Sequence, residues 1–292
     1  MFSQARARKH SSLALVISAL ALWGALGLVP AAAAPATPAA APPQFGIGTV
    51  GDFPKGYYIV TLQPGASTSL ATAVVNVGDV PAELEVYPAN AVNPANGGFA
   101  AADAATPPTG STAWLSVTAE PFTLAGGSQR SIPFTITVPD GTPPGQYITA
   151  LVASTADALP VPGNSTFRQV IRSTVPVEIN VPGPINPGFT LGSPQFHWYG
   201  ASATLEIPIE NTGNILVKPA GTLTVATHDG KEALAVPVTM QSVYAGSTTR
   251  IEVNLPPKFQ PGDYTISLTL KDTATGASAS IKKAAATLKP AS

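Results

Sequence analysis

Two glutamates, Glu83 and Glu85, are spaced as acid–base chemistry could use them. Residues i and i+2 of a β-strand share one face, so the two carboxylates would lie side by side. Leu84 and Val86 would then take the opposite, core-facing side. Because a half-buried strand turns its polar face to water, this pattern favours a solvated pair of carboxylates over a catalytic one.

Other groups that commonly carry chemistry are sparse. Beyond the N-terminal segment the histidines are His197 and His228, which are 31 positions apart and match no metal-ligand spacing. Cysteine is absent, which excludes disulfides, thiolate zinc sites and cysteine nucleophiles. Nucleophile-elbow, phosphate-loop and calcium-loop motifs are also missing from the sequence. We therefore expect a protein that is not an enzyme and that uses no metal or cofactor.

The candidate ligand site is a long loop, from Pro88 to Gly110, that combines amide and aromatic side chains. The candidate binding residues in and beside it are Tyr87, Asn90, Asn93, Phe99 and Trp114. Aromatic rings can stack on the C–H faces of sugars, while amides hydrogen-bond to hydroxyl and acetamido groups, so these residue types suit a carbohydrate. The alternative is structural, with Trp114 in the core and the asparagines forming turns.

Strands must position this loop, because hydrophobic residues alternate with period two. Three segments show the alternation most clearly: Ile132–Val138, Val175–Val181 and Tyr264–Leu270. The 31 prolines and 26 glycines argue against long helices. The sequence predicts an all-β protein built from two tandem immunoglobulin-like antiparallel β-sandwich domains.

An internal repeat supports two domains. Its elements are Asn76-Val77-Gly78 and Asn211-Thr212-Gly213, then Gly127 and Gly246 before strands, then Pro144-Gly145-Gln146-Tyr147 and Pro261-Gly262-Asp263-Tyr264. We place the first domain at residues 44–186 and the second at 187–289, joined by a Pro/Gly-rich linker. In Pro-Gly-x-Tyr, proline and glycine suit the centre of a type II turn, and the tyrosine hydroxyl is expected to bond near that turn.

The N-terminal segment resembles an export signal. A basic start is followed by an apolar run from Leu13 to Val29 and by small residues, which predicts a signal peptide at residues 1–33. An uncleaved membrane anchor is the alternative, because the run is long for a signal. Residues 34–43 form an Ala/Pro-rich linker. The net charge of −1, with no basic cluster beyond this segment, argues against a nucleic-acid partner.

The stretch from Gly56 to Ala153 resembles the peptidoglycan-binding domain of the WxL-interacting proteins of Gram-positive bacteria. The motifs that carry the resemblance are, in order, Tyr57–Gly65, Val74–Gly78, Trp114-Leu115, Phe122–Gly127, Ile132–Pro139 and Pro144–Tyr147. The segment from Phe189 to Leu288 is more weakly similar to the partner-binding second domain of that family. The chain departs from the family in lacking a C-terminal apolar span, and it contains no Trp-x-Leu motif.

This resemblance implies an extracellular protein at a Gram-positive-type cell surface, anchored to the membrane if the N-terminal segment is retained and released if it is cleaved. Its first domain would bind peptidoglycan, and its second a WxL-type or other surface protein. The alternative hypothesis is an adhesin or a chaperone-like protein-interaction module that uses an exposed strand edge for β-augmentation.

Overall fold

The computed structural model describes residues 42–290, except for residues 54, 162, 163, 201 and 258. The predicted signal peptide, residues 1–33, and nearly all of the 34–43 linker lie outside the described residues. The described chain belongs to one compact unit, residues 40–292. Its strands divide into two sets, β1–β12 and β13–β20, and each set pairs within itself.

The first set of strands forms the first sandwich. Its elements are β1 (Phe45–Thr49), β2 (Tyr58–Thr61), β3 (Ser67–Asn76), β4 (Ala82–Val92), β5 (Ala100–Ala101), a 3₁₀ turn (Gly110–Trp114), β6 (Leu115–Val117), β7 (Phe122–Leu124), β8 (Gln129–Thr137), β9 (Gly145–Thr155), β10 (Leu159–Val161), β11 (Asn164–Gln169) and β12 (Arg172–Val181). One sheet has the order β1-β3-β8-β6, and the other has the order β2-β12-β9-β4-β5, with β7 also on β4. Strands β10 and β11 form a separate hairpin.

The second set forms the second sandwich. Its strands are β13 (Phe189–Leu191), β14 (Gln195–Tyr199), β15 (Ser202–Asn211), β16 (Ala220–Thr227), β17 (Glu232–Thr239), β18 (Thr248–Asn254), β19 (Gly262–Lys271) and β20 (Ser278–Leu288). In one sheet β13, β14 and β18 all pair with β15, and the other has the order β17-β16-β19-β20. The fold class is therefore the predicted one, two immunoglobulin-like β-sandwiches. The pairing is antiparallel except between β2 and β12, which run parallel.

The predicted alternation builds the core. Ile132, Phe134, Ile136 and Val138 are 0–2% exposed, whereas Pro133 and Thr137 between them are exposed. Leu84 is fully buried, and its neighbour Glu83 faces solvent, as expected. Since the chain has no disulfide, burial of apolar surface, at about 25 cal/mol per Å², carries much of its stability.

The Asn-x-Gly repeat produces the same buried network in both sandwiches. The Asn76 amide donates to the carbonyls of Val80 and Leu124, and its oxygen accepts the Gly78 N–H. The amide of Asn211 makes the matching bonds to Ile215, Val243 and Gly213. Both asparagines are fully buried, so each fixes its turn against a neighbouring strand.

The Pro-Gly-x-Tyr repeat differs in part from the prediction. The Tyr147 and Tyr264 hydroxyls donate to the carbonyls of Pro143 and Gln260, four residues back, as expected. The glycines, however, do not occupy the centre of a type II turn. Gly145 and Gly262 already begin strands, with φ of 157° and 158°, far from the value of about +80° that such a turn requires.

Candidate functional site

The long loop between β4 and β6 packs against the outer face of the first sandwich. Phe99 and Ala101 lie on a small apolar cluster that includes Ala150 and Val152 of β9. Arg172 of β12 fastens the loop by donating to the Ala102 carbonyl at 2.9 Å and pairing with Asp103 at 3.3 Å. The Asp103 side chain is mostly exposed, so the bond to the carbonyl is the stronger restraint.

Asn93, in this loop, binds the second sandwich with its whole amide group. Its nitrogen donates to the carbonyls of Gly98 (2.7 Å) and Ser242 (2.8 Å). Its oxygen accepts the Tyr244 N–H (2.9 Å) and the Ser247 hydroxyl (2.6 Å). An amide has two N–H groups and two oxygen lone pairs, so the hydrogen-bonding capacity of Asn93 is filled within the protein.

Asn96 covers the outer edge of β18. Its backbone N–H donates to the Arg250 carbonyl at 2.8 Å. Its side chain accepts the Glu252 N–H at 2.8 Å and donates to the Glu252 carbonyl at 3.1 Å. Gly97 follows with φ +77°, and a Cβ there would lie 2.7 Å from the Gln241 carbonyl oxygen. The turn must therefore carry glycine to approach the second sandwich so closely.

A second set of hydrogen bonds connects the two sandwiches on the other side of their contact, which we call the joint. The Gln146 N–H donates to the Asn214 carbonyl, and the Leu216 N–H donates to the Gln146 side chain. The Asn214 amide donates to the carbonyls of Pro144 and Pro184. Both sides of the joint thus bind backbone groups, which fixes the two sandwiches as one body.

A cleft of about 180 Å³ lies beside this joint. Its walls are Tyr57, Phe99, Ile148, Pro176, Glu178, Leu216, Lys218, Ser242 and Tyr244. The residue Glu178 is 8% exposed, and its carboxylate accepts hydrogen bonds from Asn180 and Gln146. Burial raises the pKa of Tyr244 to about 12, and the charge of the neighbouring Tyr57 adds to the rise. The cleft is small for a ligand site, since such pockets usually measure about 300–1,000 Å³.

The five predicted ligand residues do not share one surface. Asn90 holds the far end of the loop through the Pro107 carbonyl and the Thr109 N–H. Trp114 packs on Tyr147 with ring centroids 4.7 Å apart, beside the core. The Tyr87 hydroxyl is buried and has no hydrogen-bond partner within the described part of the chain. Phe99 lines the cleft, and Asn93 lies in the joint. Ligand binding by these residues stays a prediction.

A charged cluster lies on the outer face of the second sandwich. Glu206 accepts the Tyr199 hydroxyl at 2.7 Å and lies 3.4 Å from Arg250 and 3.8 Å from His197. Arg250 also pairs with Glu252 at 3.1 Å. The bond to Glu206 is the main reason that the pKa of Tyr199 is raised. Glu206 and Glu252 share the single guanidinium of Arg250, so one carboxylate charge is left without a permanent cation.

Most strand edges in the described part of the chain are short or covered. The edge strands β2, β5, β6, β7 and β13 have four residues or fewer. In β1 the Ile47 N–H donates to the Ser173 hydroxyl, and β18 is covered by Asn96. Strand β17 carries Pro237 on its open side. In an antiparallel pair, successive residues point their backbone groups alternately toward and away from the partner strand. Because the Met240 N–H donates to the Pro219 carbonyl, Pro237 is one of the residues that point away from β16. Proline there removes an N–H and discourages pairing.

Strand β20 is an 11-residue edge strand that pairs with β19 alone among the described strands. The Asp272 N–H donates to the Ala277 carbonyl, which shows which residues of β19 point their backbone groups toward β20. Because this orientation alternates along an antiparallel pair, the residues opposite the remaining positions, Ala285 and Thr287, point their backbone groups away from the sheet. Neither backbone has a hydrogen-bond partner among the described residues. A bulge at Lys282 and Lys283, with Lys283 at φ +54°, separates this stretch from the start of the strand.

Sequence reasoning missed this edge. One signal was available in the size of the apolar residues in the last strand of each domain, the strand that follows the Pro-Gly-x-Tyr strand. The last strand of the first domain carries Val177 and Ile179, whereas the last strand of the second domain carries the smaller Ala284 and Ala286. Across residues 42–290, excepting the five positions left undescribed, no group of His, Asp and Glu could hold a metal ion. The same residues contain no helix long and apolar enough to cross a membrane.

No protein-family model matches this chain, and no curated protein sequence matches it. Solved structures of chaperones do. The CsuC–CsuE chaperone–tip adhesion subunit complex of Acinetobacter baumannii is 11% identical, with a TM-score of 0.40 over 83% of this chain and 98% of that chain. The E. coli chaperone DraB is 12% identical, with a TM-score of 0.37 over 85% and 97%. The Salmonella enterica SafA pilin–SafB chaperone complex is 14% identical, with a TM-score of 0.38 over 86% and 100%. These scores are low, and the fold assignment rests on the strand pairing alone.

Proposed function

We propose that this protein is a non-catalytic protein-interaction module that binds an extended segment of a partner protein along strand β20. The observation that carries the proposal is the open edge of β20, where Ala285 and Thr287 point their backbone groups at solvent. An unpaired edge of this kind can add a strand from another chain, because the main-chain hydrogen bonds supply affinity.

The rigid joint supports the same proposal. Asn93 and Asn96 belong to the loop that sequence reasoning assigned to a glycan, yet their amides bind the second sandwich. Peptidoglycan binding through that loop would have to rely on Asn90, Phe99 and the aromatic residues beside it. A protein partner at β20 would leave the hydrogen bonds of Asn93 and Asn96 in place. Export to the cell surface and membership of the WxL-interacting family accompany the proposal as predictions from the sequence.

Site-specific photo-crosslinking in the producing cell tests the proposal. A photoreactive phenylalanine analogue replaces Ala285 on β20 in the full chain, and Ala235 on β17 in a matched control. We expect a protease-sensitive adduct at position 285 and none at position 235, because Pro237 blunts the control edge. Equal adducts at both positions, or retention of the full chain by purified sacculi with no protein adduct, would contradict the proposal.

A further inference from the structure

The two sandwiches use the same topology, but one strand position is filled only in the first. In the first sandwich Phe45 of β1 pairs with Asn76, and in the second Phe189 of β13 pairs with Asn211. After β1 the chain crosses to the other sheet and adds β2 in parallel beside the last strand, β12. After β13 the chain stays on its own sheet and pairs with β15 as β14.

The last strands of the two sandwiches can be aligned through their partners. Ile179 of β12 lies opposite Tyr147, and Ala286 of β20 lies opposite Tyr264. Both tyrosines close the Pro-Gly-x-Tyr repeat. Residues 177–180, which pair with β2, therefore correspond to residues 284–287 of β20.

The backbone groups agree with this alignment. The Asn180 carbonyl accepts the N–H of Leu62, the residue that follows β2. Its counterpart is Thr287, whose backbone has no partner among the described residues. The position that β2 occupies in the first sandwich is thus open in the second along residues 284–287, and the open stretch ends at Lys289, whose carbonyl accepts the Trp198 indole N–H at 2.8 Å.

The side chains agree as well. In β12 the core-facing Val177 and Ile179 are fully buried, since Tyr58 and Val60 of β2 cover them. Their counterparts Ala284 and Ala286 are smaller and only partly buried. A groove of about 320 Å³ lies here, and its walls are Leu191, Gly192, Ser193, Pro194, Ile281, Ala284 and Ala285.

We propose that this groove binds an extended segment of a partner protein that runs parallel to β20 and pairs with residues 284–287. The segment carries a large apolar side chain opposite Ala284, where Tyr58 lies in the first sandwich, and a second apolar side chain opposite Ala286. It is acidic at its flanks, because Lys282 and Lys283 are exposed beside the groove and Lys289 follows it. This inference rests on the proposed function and specifies the register and chemistry of the partner.

A peptide probe tests it. The probe is a fluorescent peptide that copies residues 57–62 between pairs of glutamates, and fluorescence anisotropy measures its binding to the full chain. Ala285→Pro removes an outward N–H without touching the bonds to β19, and we expect affinity to fall about tenfold or more. Ala235→Pro on β17 is the matched control and leaves affinity unchanged. A probe with lysine flanks binds several-fold more weakly at low salt.

Two further variants keep the test decisive if Ala285→Pro folds poorly. Thr287→Pro removes the next outward N–H of β20, and Lys282→Glu reverses a flanking charge; both weaken binding of the probe. Failure of the wild-type chain to bind the probe, or binding by both Thr287→Pro and Lys282→Glu equal to that of the wild type, overturns the groove assignment. If photo-crosslinking at position 285 still captures a polypeptide in that case, the protein-interaction function stands and only this register and chemistry fail.

Discussion

Asn93 is the residue that most clearly joins sequence to architecture. Its amide makes four hydrogen bonds, three of them to Ser242, Tyr244 and Ser247 of the second sandwich. These bonds satisfy backbone and hydroxyl groups at the joint. Burying those groups without partners would cost free energy. One side chain thereby ties the loop of the first domain to the connection between β17 and β18 in the second.

Asn93→Ala is expected to lower the free energy of unfolding by about 1–3 kcal/mol, because several groups at the joint lose their partner. Urea unfolding followed by circular dichroism measures the change. Asn90→Ala is the matched control, since Asn90 makes its bonds inside the loop; small-angle scattering should show a loosened joint for Asn93→Ala only. An unchanged stability of Asn93→Ala would contradict this role.

Tyr244 makes the joint sensitive to alkali. Burial raises its pKa to about 12 in the folded chain, whereas an unfolded tyrosine has a pKa of about 10. The folded state therefore favours the neutral phenol, and this stabilisation is complete below about pH 10 and is lost as the pH rises toward 12. The unfolding free energy of Tyr244→Phe should fall less steeply than that of the wild type between pH 10 and 12. Parallel curves for the two proteins would argue against a buried phenol.

Strand β20 shows what alternation can and cannot predict at the scale of an element. Period-two patterning predicts the strands correctly, because each strand needs an apolar face whatever its neighbours are. It does not measure volume, so Ala284 and Ala286 satisfy the pattern as well as Val177 and Ile179 do. The missing partner strand therefore leaves no mark in the periodicity and becomes visible only when the two sandwiches are aligned.

Ala286→Ile should stabilise the second sandwich. The larger side chain extends the contact of residue 286 with the core of the second sandwich, as Ile179 does in the first, and substitutions that fill space in a core commonly add about 0.5–2 kcal/mol. Thermal unfolding measures the gain. Ala235→Ile, on the exposed face of the opposite edge strand, is the control and should change stability little. A loss of stability in Ala286→Ile would mean that the space beside β20 is already closed.

At the scale of the whole molecule, the joint turns two domains into one body. Composition, repeats and turns predict two sandwiches, and the observed strand pairing has that division. The stiffness of their connection was not predictable, because the groups that meet are far apart in sequence: Asn93 bonds to Ser242 and Asn214 bonds to Pro144. A Pro/Gly-rich linker by itself limits reach without fixing an angle.

The joint predicts cooperative unfolding. Hydrogen bonds from both sides of the cleft couple the sandwiches, so differential scanning calorimetry of the full chain should give one transition, with equal calorimetric and van't Hoff enthalpies. A chain that carries Asn93→Ala, Asn96→Ala and Gln146→Ala should resolve into two transitions. Two well-separated transitions in the wild type would mean that the joint contributes little to stability.

Hydrogen–deuterium exchange at β20 tests the central claim most directly. In the full chain alone, the amides of Ala285 and Thr287 should exchange rapidly, while those of Ala284 and Ala286 are protected by β19. Adding the glutamate-flanked peptide should slow exchange at Ala285 and Thr287 and leave the outer edge of β17 unchanged. Slow exchange at Ala285 and Thr287 in the free chain, or no change with the peptide, would contradict an open strand edge that binds a partner.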